Sequence, residues 1–345
     1  MTAAAPSSDR PVAVVTGASA GLGRAIAVAF AEAGHDVGLV ARGAEGLAGA
    51  AREVRARGVR ALELPTDVAD HEAVARAARR TGDELGPIDV WVNNAMTTVF
   101  APSWEIEPDE FQRAVEVTFL GQVWGTMAAL EQMRPRDRGA IVNVGSALAF
   151  TAIPLQSAYC SAKFAARGFF DSVRAELLHE GSNVRLSIVH MPALNTPQFG
   201  WCKTTADRHP QPVPPIYQPE EAARFVVRAA TDGRRSKVVG TWNRVVVAAG
   251  RLAPGVANHF AARAAWDQQF TDRALDGDRP VNLWKPVDED GDRGAHGIFD
   301  ERAGGATDPG WLRTLPETVA TLGRAVLDVA RDEGRAARRR WRGRR

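Results

Sequence analysis

The sequence predicts an α/β fold with a doubly wound parallel sheet of about seven strands, helices on both faces and a C-terminal extension. Short apolar runs alternate with longer amphipathic segments over residues 11–240. Repeated strand–helix units of this kind connect by right-handed crossovers into a parallel sheet. The strand segments are almost continuously apolar, as strands covered on both faces require. A glycine-rich turn directly follows the first strand.

The elements follow one another in a regular order. Strands are predicted at 11–17, 36–41, 59–65, 88–95, 139–146 and 183–191, and helices at 22–33, 47–57, 71–85, 108–133 and 157–180. Four of these helices are followed at once by glycine, a common helix end. Residues 192–219 then hold seven prolines and predict a long irregular segment, a kind of segment that is usually functional. A helix at 220–230 and a short strand at 237–240 complete the pattern.

The chain divides into a flexible tail (1–10), a Rossmann-type domain (11–243) and an extension (244–345). The extension holds helix-like pieces at 256–270 and 316–330, and its aromatic-rich segment 279–299 is expected to pack on the main domain or on a neighbouring subunit. Residues 319–329 are amphipathic, and seven arginines lie between 335 and 345. Such a basic end either binds anionic lipid or is a solvated terminus.

Composition excludes several classes of protein. The net charge of +2 argues against nucleic-acid binding by the whole chain. The two cysteines, Cys160 and Cys202, cannot build a disulfide framework and fit a reducing compartment. We find no secretory signal, no apolar stretch long enough to span a membrane and no metal-ligand spacing. A cytoplasmic protein without a metal is expected.

The glycine-rich turn reads Gly17-Ala18-Ser19-Ala20-Gly21-Leu22-Gly23 and opens a helix. Glycines let the backbone approach a pyrophosphate, and the helix N-terminus offers free N–H groups. The alternative, an ordinary tight turn, does not explain this position between a first strand and a helix. The turn therefore predicts a dinucleotide site.

The spacing TGxxxGxG resembles that of the short-chain dehydrogenase/reductase family, and later motifs agree. Asn94-Ala95 end the fourth strand, Ser146 ends the fifth, and a YxxxK motif follows thirteen residues after that serine. The resemblance implies a dinucleotide held by the following residues: Gly17, Ser19, Ala20, Gly21, Leu22, Gly23, Arg42, Asp67, Val68, Asn94, Ala95, Tyr159, Lys163, Pro192 and Thr196. It also implies a homodimer or homotetramer built through the long helices that carry Thr118 and Tyr159.

The end of the second strand predicts NADP(H) as the cofactor. An NAD enzyme of this fold needs a carboxylate there for the ribose 2′-hydroxyl. This chain has Ala41 and then Arg42, whose guanidinium can bind a 2′-phosphate. The alternative is a solvated arginine. Ser19 and Arg24 are further candidates for the same phosphate.

Tyr159 and Lys163 lie four residues apart on a predicted helix, so their side chains share one face. A nearby ammonium favours phenolate and lowers the phenol pKa. Tyr159 is therefore the candidate general acid/base, and Ser146 is the candidate group that orients the substrate oxygen. The alternative is an ordinary amphipathic pair.

Three positions depart from the family pattern. Thr118 stands where the family has an asparagine of the proton relay, Met96 replaces the glycine of NNAG, and Ala193 follows Pro192 where glycine is usual. Thr118 can perform only part of the relay, whereas Met96 can line the substrate pocket.

The predicted function is an NADP(H)-dependent oxidoreductase, an alcohol dehydrogenase or ketoreductase that interconverts a carbonyl and an alcohol. Phe150, Leu155, Phe199 and Trp201 either form an apolar substrate pocket or pack the loop, and His190 is expected to be a core residue. The alternatives are a non-catalytic NADP(H) sensor or scaffold, and a peripheral membrane reductase of lipid-like substrates.

Overall fold

The computed structural model describes residues 9–275, 277–289 and 291–304. Its thirteen described strands are β1 (Val12–Thr16), β2 (Asp36–Ala41), β3 (Ala61–Pro65), β4 (Ile88–Asn93), β5 (Val99–Phe100), β6 (Ala140–Ser146), β7 (Arg185–Met191), β8 (Lys203–Thr204), β9 (Arg208–Pro210), β10 (Ile216–Tyr217), β11 (Ser236–Val238), β12 (Phe270–Ala274) and β13 (Ala303–Gly304).

The described α-helices are α1 (Gly21–Glu32), α2 (Ala44–Arg55), α3 (His71–Glu84), α4 (Pro108–Val115), α5 (Gly121–Met133), α6 (Ser157–His179), α7 (Gln198–Trp201), α8 (Pro219–Asp232), α9 (Thr241–Leu252) and α10 (Pro254–Phe260). The boundary expected between residues 243 and 244 falls inside α9. Among the described residues, no helix is both long and apolar enough to cross a membrane.

Seven strands form one parallel sheet in the order β11-β7-β6-β4-β1-β2-β3. The sequence prediction of a doubly wound parallel sheet is therefore confirmed. The strand order reverses between β1 and β4, so the loops after these strands diverge to opposite faces. A crevice at such a switch point, outside the carboxyl ends of the strands, is where open α/β sheets bind ligands.

Each face of the sheet has its own apolar core. The first is built from α1, α2 and α8 and includes Phe30, Leu47 and Val226. The second is built from α3, α5 and α6 and includes Trp91 and Phe170. The strands between them are nearly fully buried, which accounts for their continuous apolar character.

The predicted single helix at 108–133 is interrupted. A π-helical turn, Glu116–Leu120, separates α4 from α5. Such turns are rare and occur often at functional sites. This one carries the buried Thr118, and an amphipathic pattern alone does not reveal the extra residue.

Part of the extension crosses the main domain as a segment that we call the strap, residues 282–289 and 291–300. Leu283 is buried beside Val99 and Ala101, and Phe299 packs against Phe199 with ring centres 6.1 Å apart. The expectation that this segment packs on the main domain is confirmed. The helix expected at 316–330 and the basic tail at 335–345 lie outside the described residues.

Candidate active site

The glycine-rich turn, which we call the cradle, leaves no room for side chains at two of its glycines. Gly17 adopts φ +69°, and a Cβ there would lie 2.9 Å from the Ala95 Cα. A Cβ on Gly23 would lie 2.0 Å from the Gly17 carbonyl oxygen. The start of α1 therefore comes very close to the end of β1, which is the close helix–strand packing that glycine permits in a dinucleotide-binding turn.

Thr16 ties this turn to the end of β4. Its Oγ1 accepts hydrogen bonds from the backbone N–H groups of Asn94 (2.9 Å) and Ala95 (3.0 Å). The Asn94 side-chain amide donates to the Thr16 carbonyl at 3.0 Å. These bonds hold the two strand ends together across the switch point.

A cavity of about 1000 Å³ opens at this edge of the sheet. It is lined by every residue that the sequence assigned to the dinucleotide: Gly17, Ser19, Ala20, Gly21, Leu22, Gly23, Arg42, Asp67, Val68, Asn94, Ala95, Tyr159, Lys163, Pro192 and Thr196. Ser146 and Met96 line it as well. The cradle and this lining fit a dinucleotide in shape and in chemistry.

Ser146 and Tyr159 meet at the cavity wall. Ser146 is the last residue of β6, and Tyr159 lies in the first turn of α6. The two hydroxyls share a hydrogen bond, and the Ser146 Oγ also accepts the Leu148 N–H at 3.1 Å. One turn along α6, Lys163 is 2% exposed and donates to the Val144 carbonyl at 2.8 Å.

In the protein without a cofactor, burial is the main influence on the pKa values of Tyr159 and Lys163. It raises the pKa of Tyr159 to about 12, although the hydrogen bond with Ser146 acts in the opposite direction. Burial also lowers the pKa of Lys163 to about 7. The expectation that the ammonium lowers the phenol pKa is therefore wrong for the protein without a cofactor. Desolvation of the buried phenolate is the largest influence on the pKa of Tyr159.

Thr118 is fully buried and faces the β4–β5 loop. Its Oγ1 donates to the Thr97 carbonyl (2.7 Å) and accepts the Thr97 N–H (3.0 Å). It is not among the described residues that line the cavity. Gln122, one turn later, donates to the same Val144 carbonyl as Lys163. Thr118 thus fixes the loop after β4, and its predicted part in proton transfer stays a prediction.

Arg42 lines the cavity but already has partners in the strap. Its guanidinium donates to the backbone carbonyls of Asn282, Leu283 and, at 3.0 Å, Trp284. Burial lowers its pKa, and the neighbouring Asp67 opposes that shift. No sequence signal connected Arg42 with residues some 240 positions later, so the strap's contribution to this site was missed.

Two other charged groups near the turn form ion pairs within the protein. Arg24 is 2% exposed and binds Asp292 through two 2.8 Å hydrogen bonds and Glu53 through one of 2.9 Å. Arg24 is not among the described residues that line the cavity, and its suggested contact with the phosphate stays a prediction. Asp67, at the cavity edge, forms an ion pair with Arg113.

The candidate substrate residues separate into two groups. Phe199 and Trp201 line the cavity. Phe150 and Leu155 are buried but are not among its described lining residues. Phe150 packs on His190 with ring centres 4.7 Å apart. As expected, His190 is a core residue, and burial lowers its pKa to about 4.

Sequence reasoning missed one entire wall of the cavity. It is supplied by α9, α10 and the π-helical turn Ala261–Ala265 that follows, through residues such as Trp242, Val246 and Ala257. These residues lie at or beyond the expected domain boundary. Among the described residues, we find no cluster of side chains suited to hold a metal ion.

Comparisons with known proteins agree with this geometry. The family model for short chain dehydrogenases matches residues 11–204. The chain is 29% identical to the uncharacterized oxidoreductase YxnA of Bacillus subtilis (strain 168), over 92% of this chain and 87% of that protein.

Two solved structures share the fold at 28–29% identity. One is a metagenomic short-chain oxidoreductase in complex with NADP, with a TM-score of 0.55 and 29% identity over 66% of this chain and 95% of that chain. The other is an alcohol dehydrogenase from the archaeon Thermococcus sibiricus complexed with 5-hydroxy-NADP, with a TM-score of 0.57 and 28% identity over 67% and 95%.

Proposed function

The chain belongs to the short chain dehydrogenase family and is an oxidoreductase, and from this premise we propose that it interconverts a carbonyl and an alcohol using NADP(H). One observation carries the proposal. Ser146, Tyr159 and Lys163 line the same cavity as the glycine-rich turn. This shared lining supports a role for Tyr159 in proton transfer next to a bound dinucleotide.

NADP(H) is supported by two independent features. Ala41 ends β2 without a carboxylate, and Arg42 lines the cavity directly after it. Two structures that resemble this chain contain NADP or 5-hydroxy-NADP. When bound, the cofactor supplies or accepts the hydride.

The catalytic residues have complementary tasks. The Ser146 hydroxyl holds the substrate oxygen next to Tyr159. Tyr159 donates its proton to that oxygen in reduction and accepts one in oxidation. Because burial raises the pKa of Tyr159 to about 12, the phenol is protonated at neutral pH, which is the form that reduction requires. Lys163, one turn away, replaces the proton and holds the nicotinamide ribose.

The substrate is an uncharged, apolar small molecule. Phe199, Trp201 and Met96 line the cavity, and its apolar wall continues along α9.

The resemblance also implies a homo-oligomer through α4, α5 and α6. Phe164 on α6 is 44% exposed and Met127 on α5 is 56% exposed, as a surface buried by a second copy would be.

The test is oxidation of NADPH in the presence of ketones, aldehydes and quinones. We expect turnover with at least one apolar carbonyl compound and much slower turnover with NADH. NADPH binding without any oxidation across the panel would instead support the sensor or scaffold alternative.

A further inference from the structure

The cavity has a charged half and an uncharged half. Among the described residues, five charged side chains line it: Arg42, Asp67, Lys163, Asp288 and Arg293. Lys163 lies beside Tyr159, and the others belong to the end where Arg42 and the strap meet the glycine-rich turn. The described wall supplied by α9, α10 and the loop 211–217 contributes no charged side chain. A charged substrate group there would lose its hydration without gaining a partner.

A row of alanines runs along this uncharged wall. Ala249, Ala253, Ala257, Ala261 and Ala265 all line the cavity and recur every four residues. Ala249 lies in α9 and Ala257 in α10, whereas Ala253 is the non-helical residue between the two helices (φ −142°, ψ 63°). The row is therefore a set of methyl groups on one cavity wall that crosses a break in the helix. Because alanine side chains are small, they leave space in the cavity along this wall, which we call the groove.

Polar groups at the far end of this wall are already paired. The Gln156 amide donates to the Gln269 Oε1 at 2.7 Å. The Gln269 amide in turn donates to the Pro154 and Ala265 carbonyls, and Gln211 donates to the Phe270 carbonyl at 2.8 Å. Because these amide donors have partners within the protein, this part of the wall does not require a polar group on the ligand.

We propose that the substrate carries its carbonyl or alcohol on a long, unbranched, uncharged alkyl chain. The oxygen lies at Ser146 and Tyr159, and the chain lies along the alanine row. This inference rests on the proposed oxidoreductase function and specifies its substrate.

A series of straight-chain methyl ketones of increasing length, assayed with NADPH, tests it. Each methylene buried along the row should raise kcat/KM by up to about fourfold until the groove is filled. Ala257→Phe narrows the groove and should lower kcat/KM for long ketones while leaving short ones unchanged. Ala262→Phe, an exposed position on the neighbouring π-helical turn, should behave as the wild type. Ala249→Phe paired with the exposed Ala248→Phe repeats the comparison on α9.

The outcomes are distinct. If kcat/KM does not depend on chain length, or if Ala257→Phe and Ala262→Phe have equal effects at all lengths, the alkyl-chain inference is wrong. If the enzyme binds NADPH but reduces no ketone of any length, the proposed function itself fails.

A different observation concerns Asp288 of the strap, which is 8% exposed. Its Oδ2 accepts the Gly46 N–H in the first turn of α2 at 2.9 Å. A Cβ on Gly43 would lie 2.0 Å from the same oxygen, and one on Gly46 would lie 2.8 Å from the Ser19 Cβ. Gly43, Gly46 and the N-terminus of α2 thus form a binding site for the Asp288 carboxylate next to Arg42.

This carboxylate-binding site shares groups with the site that a 2′-phosphate would use. Arg42, Ser19 and the N-terminus of α2 surround it, and helix N-termini favour phosphate. The strap also reaches the start of α1, where the Gly294 carbonyl accepts the Gly21 N–H at 3.0 Å. The strap carboxylate therefore lies next to the groups assigned to the phosphate.

We infer that Asp288 is a cofactor-specificity residue that competes with the 2′-phosphate, so that NADP(H) must displace the strap from α2. NADH lacks that phosphate and leaves Asp288 in place. The inference rests on the proposed use of NADP(H).

Asp288→Asn keeps a side-chain acceptor for the Gly46 N–H but removes the charge. We expect NADPH to bind about tenfold more tightly to this variant, since a like charge near its phosphate is gone, and NADH affinity to stay unchanged. Glu289→Gln removes the neighbouring exposed charge and is the matched control, expected to have little effect. Fluorescence titration with both cofactors gives the affinities.

If Asp288→Asn changes the affinities for NADPH and NADH equally, Asp288 only anchors the strap. If Asp288→Asn and Glu289→Gln change the NADPH affinity equally, the effect comes from the overall negative charge of the strap and not from Asp288 in particular. If the wild type binds neither cofactor, the proposed function fails rather than the role of Asp288.

Discussion

The Lys163 Nζ lies 5.5 Å from the centre of the Tyr159 ring and donates its 2.8 Å hydrogen bond to the Val144 carbonyl of β6. The lysine is thus anchored to the sheet while its nitrogen stays next to the phenol. Both groups pay for burial, with pKa values of about 7 for Lys163 and about 12 for Tyr159. Burial of the charged form of Lys163 is therefore costly for the protein.

Lys163→Met tests that cost through pH-dependent stability. The folded-state pKa of about 7 lies below the ordinary lysine value of about 10.4. The free-energy cost of burying the charged lysine is therefore at its maximum below pH 7, and it decreases to zero as pH rises toward 10.4. Relative to wild type, Lys163→Met should be most stabilised below pH 7, and the gain should fall by about 1.4 kcal/mol per pH unit above it.

Denaturant unfolding at several pH values between 6 and 10 measures this difference. The lost hydrogen bond to Val144 adds a constant offset without changing the slope. A difference in unfolding free energy that is independent of pH would contradict the assigned pKa of Lys163.

Arg42→Asp should change cofactor preference. The new carboxylate repels a 2′-phosphate and can accept the ribose 2′-hydroxyl, so kcat/KM for NADPH should fall by at least about tenfold relative to NADH. The control is Arg79→Asp, the same charge change at an exposed position on α3. Unchanged NADPH preference in Arg42→Asp would remove Arg42 from the phosphate site.

Gly23→Ala should destabilise the fold by more than about 3 kcal/mol, since its Cβ would lie 2.0 Å from the Gly17 carbonyl. Gly168→Ala is the matched control, because Gly168 is an exposed glycine in α6 with open space around its Cβ position. Alanine there should stabilise by about 0.5–1 kcal/mol. Thermal unfolding of both variants compares them, and similar melting temperatures would refute the close approach at the turn.

His296 should make the attachment of the strap depend on pH. Burial lowers its pKa, but hydrogen bonds with Glu220 (2.9 Å) and Asp300 (2.6 Å) outweigh burial and raise it overall. The stabilising contribution is therefore complete below the ordinary histidine value of about 6.5 and is lost as pH rises through the raised folded-state value.

Hydrogen exchange of peptides covering the strap, corrected for the intrinsic pH dependence of exchange, measures this attachment. Protection should fall between pH 6 and pH 9 in the wild type and stay constant in His296→Gln. The same pH dependence in both proteins would exclude His296 as the cause.

The sequence was sufficient for the parts of the site that depend on local patterns. The seven-stranded sheet follows from alternating apolar segments, and the cavity lining from motifs placed at strand ends such as Gly17, Asn94 and Ser146. Because parallel strands bring their carboxyl ends to one edge of the sheet, the strand pattern alone predicts that these distant residues lie close together.

The rest depended on contacts that no local pattern encodes. The pairing of Arg42 with the carbonyls of Asn282 and Trp284 joins segments about 240 residues apart. The inward face of α9 and α10 reads as an ordinary amphipathic helix. The pKa of Tyr159 was misjudged because neighbouring charge is visible in a sequence, whereas the extent of burial is not.

The most direct test of the account is Tyr159→Phe, assayed for NADPH oxidation with the best carbonyl substrate and for NADPH binding by fluorescence. Removing the hydroxyl removes the transferable proton but leaves the ring and the cradle. We expect kcat to fall by at least about a hundredfold, with the NADPH dissociation constant changed less than about threefold. Wild-type turnover in this variant would contradict the assignment of Tyr159 as the proton-transfer residue.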